Sequence, residues 1–153
     1  MALFDMDFPD DFMSELLGTD FDDMAEDMLK EAAPLLQNSL KVSAKRAVLH
    51  DGESDMVESI KPSNPKKAKT GAWIVNVGPQ GASETKVYFA KGKKGVKTKR
   101  KYKVSNALKA IWKEYGIEGR QAPRPFIENA TNNARNSVME SMQNTYNRKV
   151  GVS

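Results

Sequence analysis

The side chains that most often perform chemistry in proteins are scarce in this sequence. It contains no cysteine and a single histidine, His50. Thiolate nucleophiles and disulfides are therefore excluded, a His-rich metal site is impossible, and a Ser-His-Asp arrangement is disfavoured. His50 precedes Asp51-Gly52, a pattern typical of a helix end, so a helix-terminal role is favoured over a ligand role. We expect no cofactor, no metal and no enzymatic activity; the lack of cysteine is consistent with a reducing cytoplasm.

Charged residues are segregated along the chain although the net charge is only +4. Residues 1–31 hold eight Asp, three Glu and one Lys, a net charge of −10. Residues 61–120 hold fourteen Lys and two Arg against three Glu, a net charge of +13. Such a separation of charge favours head-to-tail attraction between copies of the chain, or binding of a polyanion by the basic segment. A nuclease is the least favoured function, because the carboxylates crowd a predicted arm where no rigid scaffold would hold two metals.

The most basic stretch, residues 91–103, consists almost entirely of Lys, Gly and Arg. Because it offers little apolar surface to bury, we predict a mobile basic loop. Clustered lysines contact DNA phosphates without reading the base sequence. The candidate DNA-facing residues are Lys91, Lys93, Lys94, Lys97, Lys99, Arg100, Lys101 and Lys103. A solvated loop with no dedicated ligand remains an equally good interpretation.

Residues 1–18 form a predicted acidic N-terminal arm. Phe4, Phe8, Phe12 and Leu16 recur in it at steps of four among aspartates, and Pro9 interrupts any continuous helix. A disordered acidic tail is one interpretation. The other, slightly favoured, is an arm whose aromatic side chains dock on a neighbouring subunit or partner.

The remaining residues, 19–153, are expected to form one domain. Thr19 or Asp20 is a candidate cap for a long helix whose apolar stripe extends to Val48, with a kink expected at Pro34. We see no signal peptide, and no run approaches the ~20 apolar residues of a membrane span.

The middle of the chain has the β-branched and aromatic composition of strands. Residues 72–79 are the clearest strand, residues 86–90 are a pairing strand that completes a hairpin, and residues 63–71 are a linker. Ser105 is expected to cap a short helix. Its buried face is expected to consist of Leu108, Ile111, Trp112 and Tyr115.

The stretch from Trp112 to Ala130 links that helix to the last one. Pro123 and Pro125 restrict the backbone on both sides of Arg124 and suit a lead-in to a helix. Apolar residues then recur at steps of three and four from Ile127 to Val150. Arg124 is thus held on rigid backbone, and two roles stay open for it: contact across a subunit boundary, or capping within its own fold.

The order of these parts resembles that of a known family. Ala-Ala-Pro-Leu-Leu (32–36), Val77-Gly78-Pro79, Glu114-Tyr115-Gly116 and Ala122-Pro123-Arg124-Pro125-Phe126-Ile127 follow one another. This resembles the tail-completion or head–tail joining (neck, "minor tail component") proteins of long-tailed bacteriophages. The likeness spans roughly residues 20–150 and is specific over the last two motifs. Ile117 replaces the family's threonine, Ala-Pro-Arg-Pro-Phe varies its Pro-Ala-Arg-Pro-Phe, and the acidic arm and the long basic insertion are extra.

The resemblance implies an α+β fold in which a small antiparallel sheet packs against the long N-terminal helix and the C-terminal helix. It implies a structural virion protein that assembles in the host cytoplasm into a hexameric ring at the head–tail junction. A head-closure or connector protein would lie on one side, a tail terminator or tail-tube protein on the other, and phage DNA in the lumen, with no membrane partner. The alternative is a non-specific nucleic-acid-binding protein that uses the basic loop. Candidate interface residues are Phe4, Phe8, Phe12, Glu114, Tyr115, Gly116, Pro123, Arg124, Pro125 and Phe126.

Overall fold

Two long helices provide the framework of this computed structural model, which describes residues 21–48, 54–91 and 97–151. Helix α1 spans Phe21–Ala47 and helix α4 spans Ile127–Val150. Two shorter helices are α2 (Ser54–Glu58) and α3 (Asn106–Tyr115). The α+β class is confirmed: small antiparallel sheets accompany the long N-terminal and C-terminal helices. The predicted arm, the capping positions Thr19 and Asp20, and His50 lie outside the described residues.

Helices α1 and α4 pack closely because small side chains line their contact. The buried positions of α1 include four alanines and those of α4 include two, namely Ala32, Ala33, Ala44, Ala47, Ala130 and Ala134. The Ser39 hydroxyl donates to the Ala130 carbonyl across this contact at 2.8 Å. The predicted period of the last helix is confirmed at Ala130 and Ala134, and α1 continues through Pro34.

The other ends of the two helices are joined by polar contacts. Glu31 accepts hydrogen bonds from the buried Thr145 hydroxyl, at 2.7 Å, and from the Arg148 guanidinium. Lys149 pairs with Asp27 at 2.6 Å. Because α1 residues near its start meet α4 residues near its end, the helices are antiparallel.

Residues 60–79 fold back on themselves as a bent hairpin. Strand β1 (Ile60–Pro62) pairs with β4 (Val77–Pro79), and β2 (Lys66–Lys67) pairs with β3 (Trp73–Ile74). The predictions of a linker over 63–71 and of one continuous strand over 72–79 that pairs with 86–90 are therefore wrong. Asn76 bonds through its backbone to Ser63 and divides the strand in two. Pairing across a short turn also closes a smaller loop, which costs less entropy.

A second, longer hairpin contains most of the lysines. Strand β5 (Ala82–Lys91) pairs antiparallel with β6 (Lys97–Ser105) over nine registered positions. The predicted basic loop over 91–103 is therefore wrong for residues 97–103, which form a strand; residues 92–96 lie outside the described part. Main-chain hydrogen bonds hold such a strand whatever its charge, and Thr98, Tyr102 and Val104 at alternate positions favour extended backbone.

The apolar core lies where α1, α2, the first hairpin and the start of α4 meet. Its large members are Leu40, Met56, Val57, Ile60 and Phe126. Phe126 is 2% exposed and is the largest fully buried side chain. The core therefore includes the residue that ends the Pro-Arg-Pro-Phe motif.

Candidate assembly site

Glu114, in the last turn of α3, fastens the start of α4. Its carboxylate accepts backbone N–H bonds from Phe126 and Ile127, both at 2.8 Å, and from Glu128 at 3.2 Å. These are N–H groups of the first turn of a helix, which have no partner within the helix itself. A carboxylate there also faces the positive end of the helix dipole. The Glu-Tyr-Gly and Pro-Arg-Pro-Phe motifs thus form one physical unit, which we call the corner (residues 114–126).

The corner requires glycine at position 116. Gly116 has φ 77°, and a Cβ there would lie 2.6 Å from the Gln121 carbonyl oxygen and 2.9 Å from the Pro123 nitrogen. Reciprocal backbone bonds of 2.9 Å between Ile117 and Gln121 close the loop beyond it. The Arg124 N–H donates to the Lys113 carbonyl at 2.7 Å, which returns the chain to α3.

The structure divides the predicted interface residues of the corner into two groups. Glu114 and Phe126 are buried, and Gly116 is partly buried beside the Pro123 backbone. These three residues shape the corner from within the subunit. Tyr115, Pro123 and Pro125 are exposed and Arg124 is partly buried, so these four form its outer surface. Phe4, Phe8 and Phe12 lie outside the described residues.

Helix α3 presents its apolar side outward. Leu108 is 39% exposed, Ile111 50% and Tyr115 75%. These positions, three and four residues apart, form one stripe on the helix, which we call the α3 face. The prediction that Leu108, Ile111, Trp112 and Tyr115 form a buried face is therefore wrong; only Trp112 is partly covered.

The inward side of α3 is polar instead. Its buried residues are Asn106, Lys109, Ala110, Lys113 and Glu114. The Asn106 amide donates to the Gln80 carbonyl at 2.8 Å and accepts from the Ser83 hydroxyl at 2.6 Å. Lys109 donates to the same hydroxyl at 2.9 Å. The predicted Ser105 cap is confirmed, because its hydroxyl accepts from the Leu108 N–H at 3.1 Å. Satisfied polar groups thus fix the helix with its apolar stripe facing away from the core.

Two concavities flank the corner. One is lined by Tyr115 and the loop 117–123. The other has a volume of about 400 Å³ and lies between the C-terminal half of α1 and the start of α4. We call the second the arginine cleft; its lining residues are Ser43, Arg46, Ala47, Arg124, Pro125, Phe126, Asn129 and Asn133. Sequence reasoning singled out Arg124 but missed Arg46, which is 78 positions away and carries no local signal of the contact.

The candidate DNA-facing residues are distributed over the long hairpin. Lys91 ends β5; Lys97, Lys99, Arg100, Lys101 and Lys103 belong to β6. Lys93 and Lys94 lie outside the described residues. Lys97, Lys99, Lys101 and Lys103 occupy alternate positions of β6, and alternate positions share one face of a strand. We call these four backbone positions on one face of β6 the row of lysines.

Carboxylates at the start of α1 are held in their charged form. A hydrogen bond from Lys67, followed by one from Trp73, lowers the pKa of Asp22 below 3.8. The Lys149 hydrogen bond and charge lower the pKa of Asp27. The Thr145 hydrogen bond, with that of Arg148, lowers the pKa of Glu31 below 4.5. Asp22 thus joins α1 to the first hairpin, and Asp27 and Glu31 join α1 to α4.

Within residues 21–48, 54–91 and 97–151, no three His, Cys, Asp or Glu side chains cluster so that they could hold a metal ion. In that same part of the chain, no helix has the length and apolar character needed to cross a bilayer. Comparisons with protein-family models, curated proteins and solved structures find no match to this chain.

Proposed function

We propose that this protein is a non-enzymatic structural component of the virion of a long-tailed phage, which completes the tail and joins it to the DNA-filled head. The observation that carries the proposal is the α3 face. An isolated subunit gains nothing from exposing Leu108, Ile111 and Tyr115 on one stripe, whereas an assembling subunit can bury them against a neighbour. The stripe ends at Tyr115 in the corner, whose geometry Glu114 and Gly116 fix, so a neighbour meets a rigid surface.

The sequence motifs that resemble the neck family support the same interpretation. Glu114 and Phe126, which belong to the last two of these motifs, lie twelve residues apart, and the hydrogen bonds to Glu114 join the two motifs into one corner. Residue types that hold this corner together are therefore the ones on which the resemblance rests. In the proposed arrangement, the subunits form a hexameric ring at the head–tail junction. A head-closure or connector protein contacts one side, and a tail terminator or tail-tube protein contacts the other.

The ring is proposed to surround the phage DNA, with the long basic hairpin toward the lumen. A row of lysines can neutralise phosphates without sequence preference, which suits DNA that must pass through. The protein would assemble in the host cytoplasm and remain in the virion. The −10 and +13 segments suit a head-to-tail contact between neighbouring subunits, which closes into a ring.

The first experiment is electron microscopy of a lysate of a phage that carries a stop codon early in this gene. Full heads beside free tails of normal length are expected. Tails of uncontrolled length would assign tail termination instead, and empty heads would assign head closure. Normal infectious particles would refute the proposal.

A second experiment tests the α3 face in the purified protein. Ile111→Ser combined with Tyr115→Ser should reduce oligomer formation, as measured by mass photometry, without unfolding the subunit, because both side chains are exposed. Met139→Ser is the matched control, since Met139 is 62% exposed on α4. Equal oligomerisation of both variants and the parent would remove the α3 face as the contact.

The row of lysines on β6 favours one alternative, a non-specific nucleic-acid-binding protein. Such a protein binds duplex DNA by itself, and its affinity falls steeply as salt rises. Replacing Lys97, Lys99, Lys101 and Lys103 by Gln would then flatten the dependence of log K on log salt by up to about 0.9 for each phosphate that is no longer neutralised. Strong salt-dependent binding by the free protein, with normal particles from the stop-codon phage, would select this alternative.

A further inference from the structure

We propose that the arginine cleft is a carboxylate-binding site, and that its occupant is the acidic N-terminal arm, residues 1–20, of a second copy of the chain. This inference rests on the proposed function only in assuming that copies of the chain meet. It assigns a ligand to a cavity that shares no lining residue with the concavity beside Tyr115.

The described side chains that line the cleft include positively charged hydrogen-bond donors and no negatively charged acceptor. Arg46 and Arg124 contribute two guanidinium groups, and no carboxylate of the described residues belongs to the lining. Neither guanidinium makes an ion pair or side-chain hydrogen bond with the described residues, whereas Lys67, Arg148 and Lys149 each pair with a carboxylate. Two guanidinium groups that share a cavity, and that have no anionic partner within residues 21–48, 54–91 and 97–151, are suited to bind a carboxylate, because arginine can donate two parallel hydrogen bonds to it.

The remaining lining adds further donors and shape. Asn129 and Asn133 lie one turn apart on α4, and Ser43 faces them from α1. Asn129 donates to the Pro125 carbonyl, which holds its amide at the cleft wall. Pro123 and Pro125 restrict the backbone at Arg124, and the Arg124 N–H is fixed to Lys113 at 2.7 Å. The Arg124 side chain therefore starts from a rigid point, which reduces the entropy lost when it binds.

The sequence supplies one matching ligand. Residues 1–20 carry six carboxylate side chains and no Lys or Arg, and Asp10 and Asp11 form an adjacent pair among Phe8 and Phe12. An adjacent pair of carboxylates can accept hydrogen bonds from two guanidinium groups at once. DNA phosphate offers the same charge, but the described lining of the cleft holds two cationic side chains, whereas affinity for a duplex comes from many neutralised phosphates along a continuous basic surface such as the row of lysines.

Distance favours a second copy as the source of the arm. Arg46 lies 25 residues after Phe21 on the same helix, about 37 Å along its axis at about 1.5 Å per residue. Asp11 precedes Phe21 by ten residues, which span at most roughly 33–36 Å when fully extended. Asp11 of the same chain could therefore reach its own cleft only if the residues between it and Phe21 were fully stretched, which forfeits most of their conformational entropy. The arm of a neighbouring copy has no such restriction.

The test uses full-length protein and exploits the absence of cysteine from the natural sequence. One chain carries Met13→Cys in the arm, which leaves Asp10 and Asp11 intact, and a second chain carries Asn133→Cys at the cleft. The two proteins are mixed and oxidised mildly, and the disulfide-linked mixed dimer is quantified by mass spectrometry of the joined peptides. The matched control replaces Asn133→Cys by Asn144→Cys, an exposed asparagine on the same helix about 16 Å further along.

We expect the mixed dimer with Asn133→Cys to exceed the control by at least about tenfold, as a specific contact requires. Adding Arg46→Gln and Arg124→Gln to the cleft chain should lower the yield about tenfold, since hydrogen bonds between charged groups are removed. Asp10→Asn with Asp11→Asn in the arm chain should do the same while leaving every described residue unchanged, which guards against misfolding of the arginine variant.

Several results would overturn the inference. These are a yield equal to the control, a yield insensitive to both sets of substitutions, or preferential closure within one chain when both cysteines are on it. Loss of DNA affinity in the arginine variant, with unchanged cross-linking, would assign the cleft to phosphate instead. If the protein assembles into a ring but the disulfide between Met13→Cys and Asn133→Cys does not form, only this inference is refuted. If the stop-codon phage gives normal particles, only the proposed function is refuted.

Discussion

The removal of the Glu114 carboxylate is the most direct test of the corner. Glu114→Ala deletes the acceptor of three N–H groups at the start of α4, of which the Phe126 N–H is buried. A buried donor left unpaired costs about 1–3 kcal/mol. Loss of a cap costs about 1 kcal/mol more, and loss of a charge at the helix dipole about 0.3–1 kcal/mol.

The sum predicts a loss of about 2–5 kcal/mol in the free energy of unfolding, with a midpoint of about 3.5 kcal/mol, because the other two N–H groups can be hydrated. For a protein of this size, that midpoint corresponds to a fall in Tm of roughly 6–15 °C. Glu114→Gln retains the shape and one acceptor oxygen, so we expect about half the effect. The Tm is measured by circular dichroism at neutral pH, and hydrogen exchange should show faster exchange in the first turn of α4.

Glu118→Gln is the control, because it removes the same charge from an exposed position four residues further on. Equal lowering of the Tm by Glu114→Ala and Glu118→Gln would refute the role assigned to Glu114. Faster exchange that appears throughout the protein, and not first at residues 126–128, would refute it as well. Either result would mean that the three hydrogen bonds do not determine where α4 begins.

Three further predictions concern the same framework. Gly116→Ala should destabilise the fold by about 2 kcal/mol or more in denaturant titration, whereas Gly119→Ala should cost less, since both have positive φ but only the first Cβ meets backbone atoms. Stability should be constant at neutral pH and fall below roughly pH 5, because the lowered pKa values of Asp22, Asp27 and Glu31 mean that the unfolded chain takes up protons first. Glu31→Gln should reduce that slope, and an unchanged slope in acid titrations of Tm would contradict the assignment. Asn106→Ala should cost about 1–3 kcal/mol because the Gln80 carbonyl and Ser83 hydroxyl lose their partner, and a loss below about 0.5 kcal/mol would contradict the role of the inward polar side of α3.

The features that depend on neighbours in sequence were predictable. The long helices, the Ser105 cap and the period of α4 follow from local patterns, and all three are confirmed. Strand pairing was not predictable, because 72–79 and 86–90 have suitable composition for several partners. In the structure, residues 73–79 pair with residues 60–67, and residues 82–91 pair with residues 97–105.

The orientation of α3 shows a second limit of sequence reasoning. Its amphipathic pattern is real, but a pattern does not say which side meets the subunit's own core and which meets something else. The inward side contains Lys109 and Glu114, whose partners Ser83 and Phe126 come from distant elements. Only the complete fold reveals that these polar groups are satisfied, and hence that Ile111 and Tyr115 face outward.

The hairpin of β5 and β6 carries a consequence for solubility. It is a two-stranded sheet, and no other strand in the described part of the chain pairs with it. Each strand therefore has one edge without a partner strand among the described residues, and an unpaired strand edge can pair with another extended peptide and so promote aggregation. Lysines along β6 oppose such pairing, because two identical ribbons would bring like charges together. A variant in which these lysines are replaced by neutral residues should precipitate more readily even in the absence of nucleic acid. The same charges that favour binding of a polyanion would thus also oppose edge-to-edge association of the hairpin.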